Sequence, residues 1–266
     1  MEFKKDKFKS NPYNSLNKLL SKNDITNILK NININDFKPT NLELYQTAFV
    51  HKSYCHMKDY EEFENDIQAL PLQKESYEKM EFLGDSILGY IVCEYIFQRY
   101  TIIYDQDEGF LTKMKNRLVC GEMLCKLASD IGFNKHVIIS KHIDENCNGR
   151  NNKNILEDTF EAFIGALYLD TNDIHFVKEV LIKIYEKYVD FSDIILNDTN
   201  YKDQLQRYLQ NRFKEYPKYE IIEEDDRFIC KVKKAEEIIS EANGNTKKKA
   251  EQNAAKASLI HYGVLN

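Results

Sequence analysis

Among its 266 residues the chain has no tryptophan, only four prolines and only nine glycines. So few chain-breaking residues exclude a low-complexity or disordered protein, and 42% apolar content supplies one sizeable core with a smaller one beside it, so two domains are expected. No run approaches the ~18 consecutive apolar residues of a membrane span. The opening MEFKKDKFKSNPYNSLNKLL also lacks the apolar stretch of a secretory leader, so the expectation is a soluble, intracellular, cytoplasmic protein with no membrane partner. The six cysteines, Cys55, Cys93, Cys120, Cys125, Cys147 and Cys230, form no C-x-x-C pair and read as reduced, mostly buried thiols. A zinc site from His51, Cys55 and His56 fits none of the usual ligand spacings.

Basic charge is scarce overall, with 37 Lys and Arg against 43 Asp and Glu, but the shortage is uneven. Residues 201–266 hold 13 bases and 11 acids, a net of +2, which leaves −8 on residues 1–200. An acidic body joined to a weakly basic tail suits metal cations at the first and a polyanion at the second.

From Leu16 to Val189 apolar residues recur three and four apart, as in SLNKLL, ILGYIVCEYIF and ILEDTFEAFIGALYLD, so this part is expected to be all-α. Residues 58–76 and 144–154 are polar interruptions that read as loops, the first as a disordered surface insert. After a linker at 191–200 the period changes. YKDQLQRYLQNRF (201–213) reads as a helix, KYEIIEED, RFICKVKK and EEIISEANG as short strands, and TKKKAEQNAAKASLIHYG (246–263) as a helix opened by a Thr cap. The expected organisation is therefore an all-α domain over 1–190, with its core at about 40–190, and a small α+β domain of order αβββα over 201–266.

Within YEKMEFLGDSILGY, about 100° per residue with Met80 at zero puts Glu81, Asp85 and Glu78 at about 100°, 140° and 160°. Leu83, Ile87, Met80, Ile91 and Leu88 span the arc from about 300° through zero to about 80°. One helix thus carries a core face and a compact acidic face, while Phe82, at about 200°, fits neither. In the second acidic segment Asp158 and Glu161 share a face of a helix that is apolar almost all round, with no Lys or Arg between 154 and 170. Half-buried carboxylates without a base either take a proton or hold a cation, and five oxygen donors without His or Cys suit Mg2+, or Mn2+ in its place, better than Zn2+. A solvated acidic stripe and a structural ion-pair network remain open on the residues alone.

EKMEFLGDSILG closely resembles the signature of the ribonuclease III family, and ILEDTFEAFIGALYLD resembles that family's second acidic motif. TAFVHKSY (47–54) and EGFLTKMKNRLVCGEMLCKLASDIGF (108–133) resemble its other helical landmarks, and the αβββα tail resembles its double-stranded-RNA-binding domain. The likeness runs over about residues 40–263. It implies that Glu81, Asp85, Asp158 and Glu161 are the metal-binding catalytic cluster, with Glu78 a further catalytic acid tied less directly to the cleavage centre. The implied activity is Mg2+-dependent hydrolysis of double-stranded RNA to 5′-phosphate and 3′-hydroxyl ends with short 3′ overhangs, without an organic cofactor. Two rival readings are a non-catalytic protein that binds or sequesters duplex RNA, disfavoured by the intact acids, and a nucleotide phosphohydrolase, disfavoured because the histidines do not pair with the acidic motifs.

The same resemblance assigns Lys247, Lys248 and Lys249, in the first turn of the last helix, to phosphate contact, where free N–H groups and the helix dipole already favour an anion. Gln206 matches a position that reads the minor groove, and Asp203 matches another for which an acid is a poor contact. The loop between the first two strands is shortened to EEDDR (223–227), which predicts weaker duplex binding than is typical of the family. Phe82 matches the aromatic that plugs a socket on a two-fold-related subunit, so a homodimer is expected.

Overall fold

The computed structural model describes residues 10–196, 200–224 and 227–265. Its helices are α1 (Lys22–Asn31), α2 (Leu42–Ala48), α3 (Glu78–Ile96), α4 (Ile102–Tyr104), α5 (Glu108–Leu118), α6 (Gly121–Ile131), α7 (Lys141–Cys147), α8 (Lys153–Thr171), α9 (Ile174–Tyr188), α10 (Phe191–Leu196), α11 (Tyr201–Phe213) and α12 (Lys247–His261). Three strands, β1 (Lys218–Glu224), β2 (Arg227–Lys234) and β3 (Glu237–Gly244), lie between α11 and α12. The chain divides into two compact units between Phe191 and Ser192.

The first unit is built around α8. Its run from Leu156 to Leu167 is buried except at Glu157 and Asp158, because apolar residues cover nearly every side of the helix and it can only sit at the centre. The Asn152 side chain accepts from the backbone N–H groups of Asn154 and Ile155 and starts the helix. Phe163 packs against Tyr45, Phe49 and Phe133 at ring-centroid distances of 5.0–6.3 Å. Against the other side of α8 lies α3, and two glycines let the backbones touch. A Cβ on Gly84 would stand 1.8 Å from the Glu161 carbonyl oxygen, and one on Gly165 would stand 2.4 Å from that of Met80. Side chains on the two helices therefore converge from almost touching main chains.

The second unit is a small α+β layer. Its sheet has the order β1-β2-β3, antiparallel throughout, with Ile221 opposite Cys230 and Cys230 opposite Ala242. Leu205 and Leu209 of α11, Cys230 and Val232 of β2, and Ala250, Ala254, Ala255 and Leu259 of α12 form its core. The alanine face of α12 lets that helix lie close to the sheet, and Thr246 caps its first turn by accepting from Lys249 N at 3.2 Å. The expected all-α domain and αβββα tail are thus both present.

Four expectations need correction. SLNKLL is not helical; Asn14 and Asn17 donate to the Ile139 carbonyl, holding this stretch to a distant loop, and Leu16 and Leu19 stay exposed. The 58–76 insert is not free along its whole length but fastened at its end, where Gln73 N donates to Tyr54 O, Tyr54 Oη donates to Leu70 O, and Leu72 is buried. The 144–154 loop is largely absorbed by α7 and the first residues of α8. The cysteines are free but not mostly buried: only Cys230 is, while Cys120 and Cys147 are exposed. Residues 225 and 226 of the shortened EEDDR loop, and 197–199 of the linker, lie outside the described residues. Among the described residues no helix is long and apolar enough to cross a membrane.

Candidate active site and nucleic-acid interface

Glu81 on α3 and Asp158 and Glu161 on α8 each offer a carboxylate oxygen, and the three lie within 4.8 Å of one another. The close backbone crossing at Gly84 and Gly165 produces this convergence, since it brings the acidic face of α3 over the polar edge of α8. Glu161 is only 8% exposed and accepts no hydrogen bond from any described residue. Burial, with Asp85 and Glu81 adding like charge, pushes its pKa up to about 8. Burial raises Glu81 and Asp158 above the ordinary carboxylate range as well, against which a hydrogen bond from Tyr77 Oη to Asp158 Oδ2, 2.9 Å, acts in favour of the ionised form.

The other two sequence-identified acids stand apart. Asp85 is exposed and close enough to raise the pKa of Glu161, but lies outside the tight group of three. Glu78 pairs with Lys52 Nζ at 3.0 Å and accepts from Ser76 Oγ at 3.3 Å, and the Lys52 bond is the main cause of its lowered pKa. Three residues at the site escaped the sequence reading. Tyr77 and Lys52 contact acids far along the chain, so no spacing announces them. Glu157 lies on no acidic face that the helical spacing marks; it covers the start of α6, where a Cβ on Gly121 would meet its Oε2 at 2.0 Å, and burial raises its pKa too. The His51–Cys55–His56 combination forms no metal cluster among the described residues, and His51 Nδ1 instead bonds the hydroxyl of Ser53 at 2.8 Å.

A divalent cation fits this donor set. Three oxygen ligands, one of them buried, unpartnered and surrounded by like charge, are costly when ionised and need a positive charge among them. The all-oxygen composition suits a hard ion of the Mg2+ or Mn2+ kind.

On the small unit, Gln206, Lys247 and Lys248 line one open hollow with Lys202, Asp203, Tyr219 and Glu251. Lys249 is exposed one position further along α12. Two acids in the hollow are paired, Asp203 with Arg207 at 2.8 Å and Glu251 with Lys202 at 2.7 Å, so Lys247 and Lys248 keep their charge for a ligand. Lys247 Nζ stands 5.5 Å above the Phe228 ring, which steers it to one side of the helix end.

Phe82 is 76% exposed, pointing away from the core as its angular position requires. It heads a stripe. At about 100° per residue Phe82, Ser86, Gly89, Tyr90, Cys93 and Phe97 share one outward arc of α3 and its continuation. Tyr90 and Phe97 are also exposed, and a Cβ on Gly89 would meet nothing within 4 Å.

Comparison with known proteins gives matches over both units. Residues 41–186 match the family profile described as Ribonuclease-III-like, and residues 201–262 match the double-stranded RNA binding motif. A protein of Acanthamoeba polyphaga mimivirus named Probable ribonuclease 3 is 36% identical over 269 residues, 97% of this chain and 48% of that protein, so the chain spans about half of that relative's length. Ribonuclease 3 of Acinetobacter baylyi is 34% identical over 80% of this chain and 86% of its own. Ribonuclease 3 of Borreliella burgdorferi is 31% identical over 90% of this chain and 91% of its own.

Proposed function

The chain belongs to the ribonuclease III family, and on that footing we propose how its residues divide the work of an endoribonuclease acting on double-stranded RNA. Residues 1–190 cleave, 191–200 link, and 201–266 hold the duplex. Glu81, Asp85, Asp158 and Glu161 hold Mg2+, which when bound lowers the pKa of water and stabilises the leaving 3′ oxygen, giving 5′-phosphate and 3′-hydroxyl ends. Mn2+ substitutes for it. Asp158 and Glu161 are fixed on the central helix, and Asp85, on the solvent side, would complete the set around a bound cation. Glu78, held by Lys52, acts at the rim of the site as a secondary acid.

The single observation that carries this reading is Glu161, more than nine-tenths buried, without a hydrogen bond, and facing two other carboxylates. A protein that only gripped RNA would gain nothing from so unfavourable a side chain. The test is cleavage of long duplex RNA against single-stranded RNA with Mg2+ and with EDTA. Glu161→Gln keeps the shape and removes the charge; we expect it to abolish cleavage while leaving duplex binding nearly intact. Wild-type cleavage rates from this variant in Mg2+ would refute the assignment.

In the small domain Lys247, Lys248 and Lys249 contact phosphates at the α12 N-terminus, and Gln206 contacts the minor groove. The active assembly is a homodimer. Phe82, Tyr90 and Phe97 form an exposed apolar stripe along α3 and its continuation, an arrangement that an isologous partner would cover. Pairing two catalytic units in this way provides one acidic cluster per strand, and so the short 3′ overhangs.

A further inference from the structure

Asp158 cannot hold its orientation through α8 alone, because an aspartate on a half-exposed helix face has more than one rotamer open to it and a broad terminal torsion. Its Oδ2 is tied by one neutral donor, Tyr77 Oη at 2.9 Å, while its other oxygen accepts no hydrogen bond from the described residues. Tyr77 is only 2% exposed, with the His51 ring tilted against it at 5.8 Å. A tyrosine hydroxyl is an uncharged donor.

The backbone of the same residue governs a second ligand. The Tyr77 carbonyl accepts from Met80 N and Glu81 N, both at 2.9 Å, and its own N–H donates to Val50 O at 2.9 Å. One residue therefore anchors the first turn of α3, which carries Glu81, to the segment after α2, and reaches across to α8, which carries Asp158.

We infer that Tyr77 is the positioning residue of the cation site, holding Asp158 with one oxygen occupied and the other free while its main chain sets the height of Glu81. The inference rests on the metal-binding reading proposed above. A neutral donor suits this role better than a base. Lysine or arginine here would satisfy the carboxylate and compete with the cation, whereas a hydroxyl orients it and leaves its charge available.

The test is Tyr77→Phe, which removes one oxygen from a buried ring, set beside Tyr45→Phe. Tyr45 Oη also donates to a carboxylate, Asp170, at 2.9 Å from a fully buried ring, but away from the acids of the site. Mn2+ affinity is read directly from the spin-resonance signal of the free ion, and the Mn2+-induced rise in melting temperature is taken for each protein against its own EDTA value, which cancels differences in basal stability. Tyr77→Phe should bind Mn2+ about ten-fold or more weakly, with cleavage restored at high Mg2+, and Tyr45→Phe should bind as wild type does. Unchanged Mn2+ affinity in Tyr77→Phe, or equal weakening in both variants, overturns the inference while leaving the metal reading intact. Equal Mn2+ binding by wild type and Glu161→Gln would overturn the metal reading and this inference with it.

Discussion

Glu161→Gln should stabilise the metal-free protein, and the gain should grow with pH. In the unfolded chain a glutamate ionises near 4.5, and in the folded protein Glu161 does so at about 8. The folded state therefore binds this proton more tightly. Its contribution is complete below pH 4.5, falls as the unfolded chain ionises ahead of the folded one, and is lost by about pH 8. Each pH unit in that window is worth about 1.4 kcal/mol, which sets a ceiling of ~5 kcal/mol. Rearrangement of Glu81 and Asp158 and entry of water reduce this, and about 2–3 kcal/mol is expected. Glutamine has no such penalty. Urea unfolding in EDTA at pH 5, 7 and 8.5 should show the variant and wild type converging at the acid end and separating at the alkaline end. Addition of Mg2+ at pH 7 should then raise the wild type and leave the variant where it was. A stability difference that is flat across pH would show that Glu161 is not a buried charge awaiting a cation.

Gly84→Ala should lose about 3 kcal/mol in urea unfolding and most cleavage although every acid remains, because its Cβ would meet the Glu161 carbonyl at 1.8 Å and neither main chain can give way; wild-type stability would refute the close crossing. Phe82→Ala removes two apolar contacts from a two-fold interface at about 3–5 kcal/mol each, so it should sediment as a 31.4 kDa monomer where the wild type has twice that mass. A wild type that is monomeric at micromolar concentration, with and without RNA, would end the dimer account. Replacing Lys247 and Lys248 together with Gln should lower duplex affinity and flatten its dependence on log salt by about two, as two phosphate contacts are lost; an unchanged slope would move the RNA contact elsewhere.

The acidic faces were legible because a helix fixes angles: the 100° step groups Glu78, Glu81 and Asp85 on one helix, and Asp158 with Glu161 on a second that lacks local bases, while the choice of catalytic acids among the five came from the family resemblance. Phe82 was legible for the same reason, being a large apolar residue outside the core arc and beside the acids, while Tyr90 and Phe97 on the same outward arc drew no notice. What escaped depends on contacts between distant residues. Nothing in the spacing of Tyr77 says that it reaches 81 positions along the chain to Asp158, and Lys52 meets Glu78 only because the segment after α2 folds back on α3. SLNKLL has a helical apolar pattern, but side-chain bonds from Asn14 and Asn17 to the loop near Ile139 outweigh a short and uncapped propensity. The insert looked free because it is acidic and polar, yet three apolar or neutral residues near its end, Leu70, Leu72 and Gln73, suffice to fasten it.

The contact between α3 and α8 through Gly84 and Gly165 also limits how the site can respond to an ion. Magnesium holds its oxygens at about 2.0–2.1 Å and calcium at about 2.3–2.6 Å, so the acids must draw in further for the first than for the second. Helices cushioned by larger side chains could slide together to meet that demand, but these two are already in main-chain contact and have no travel left. Contraction must come from rotation within individual carboxylate side chains, on a scaffold that behaves as a fixed gauge. On the proposed assignment, discrimination by ionic radius depends on the reach of Glu81 and Asp85, the two acids nearest solvent, and substitutions that shorten or lengthen either one should retune the preferred ion without disturbing the fold.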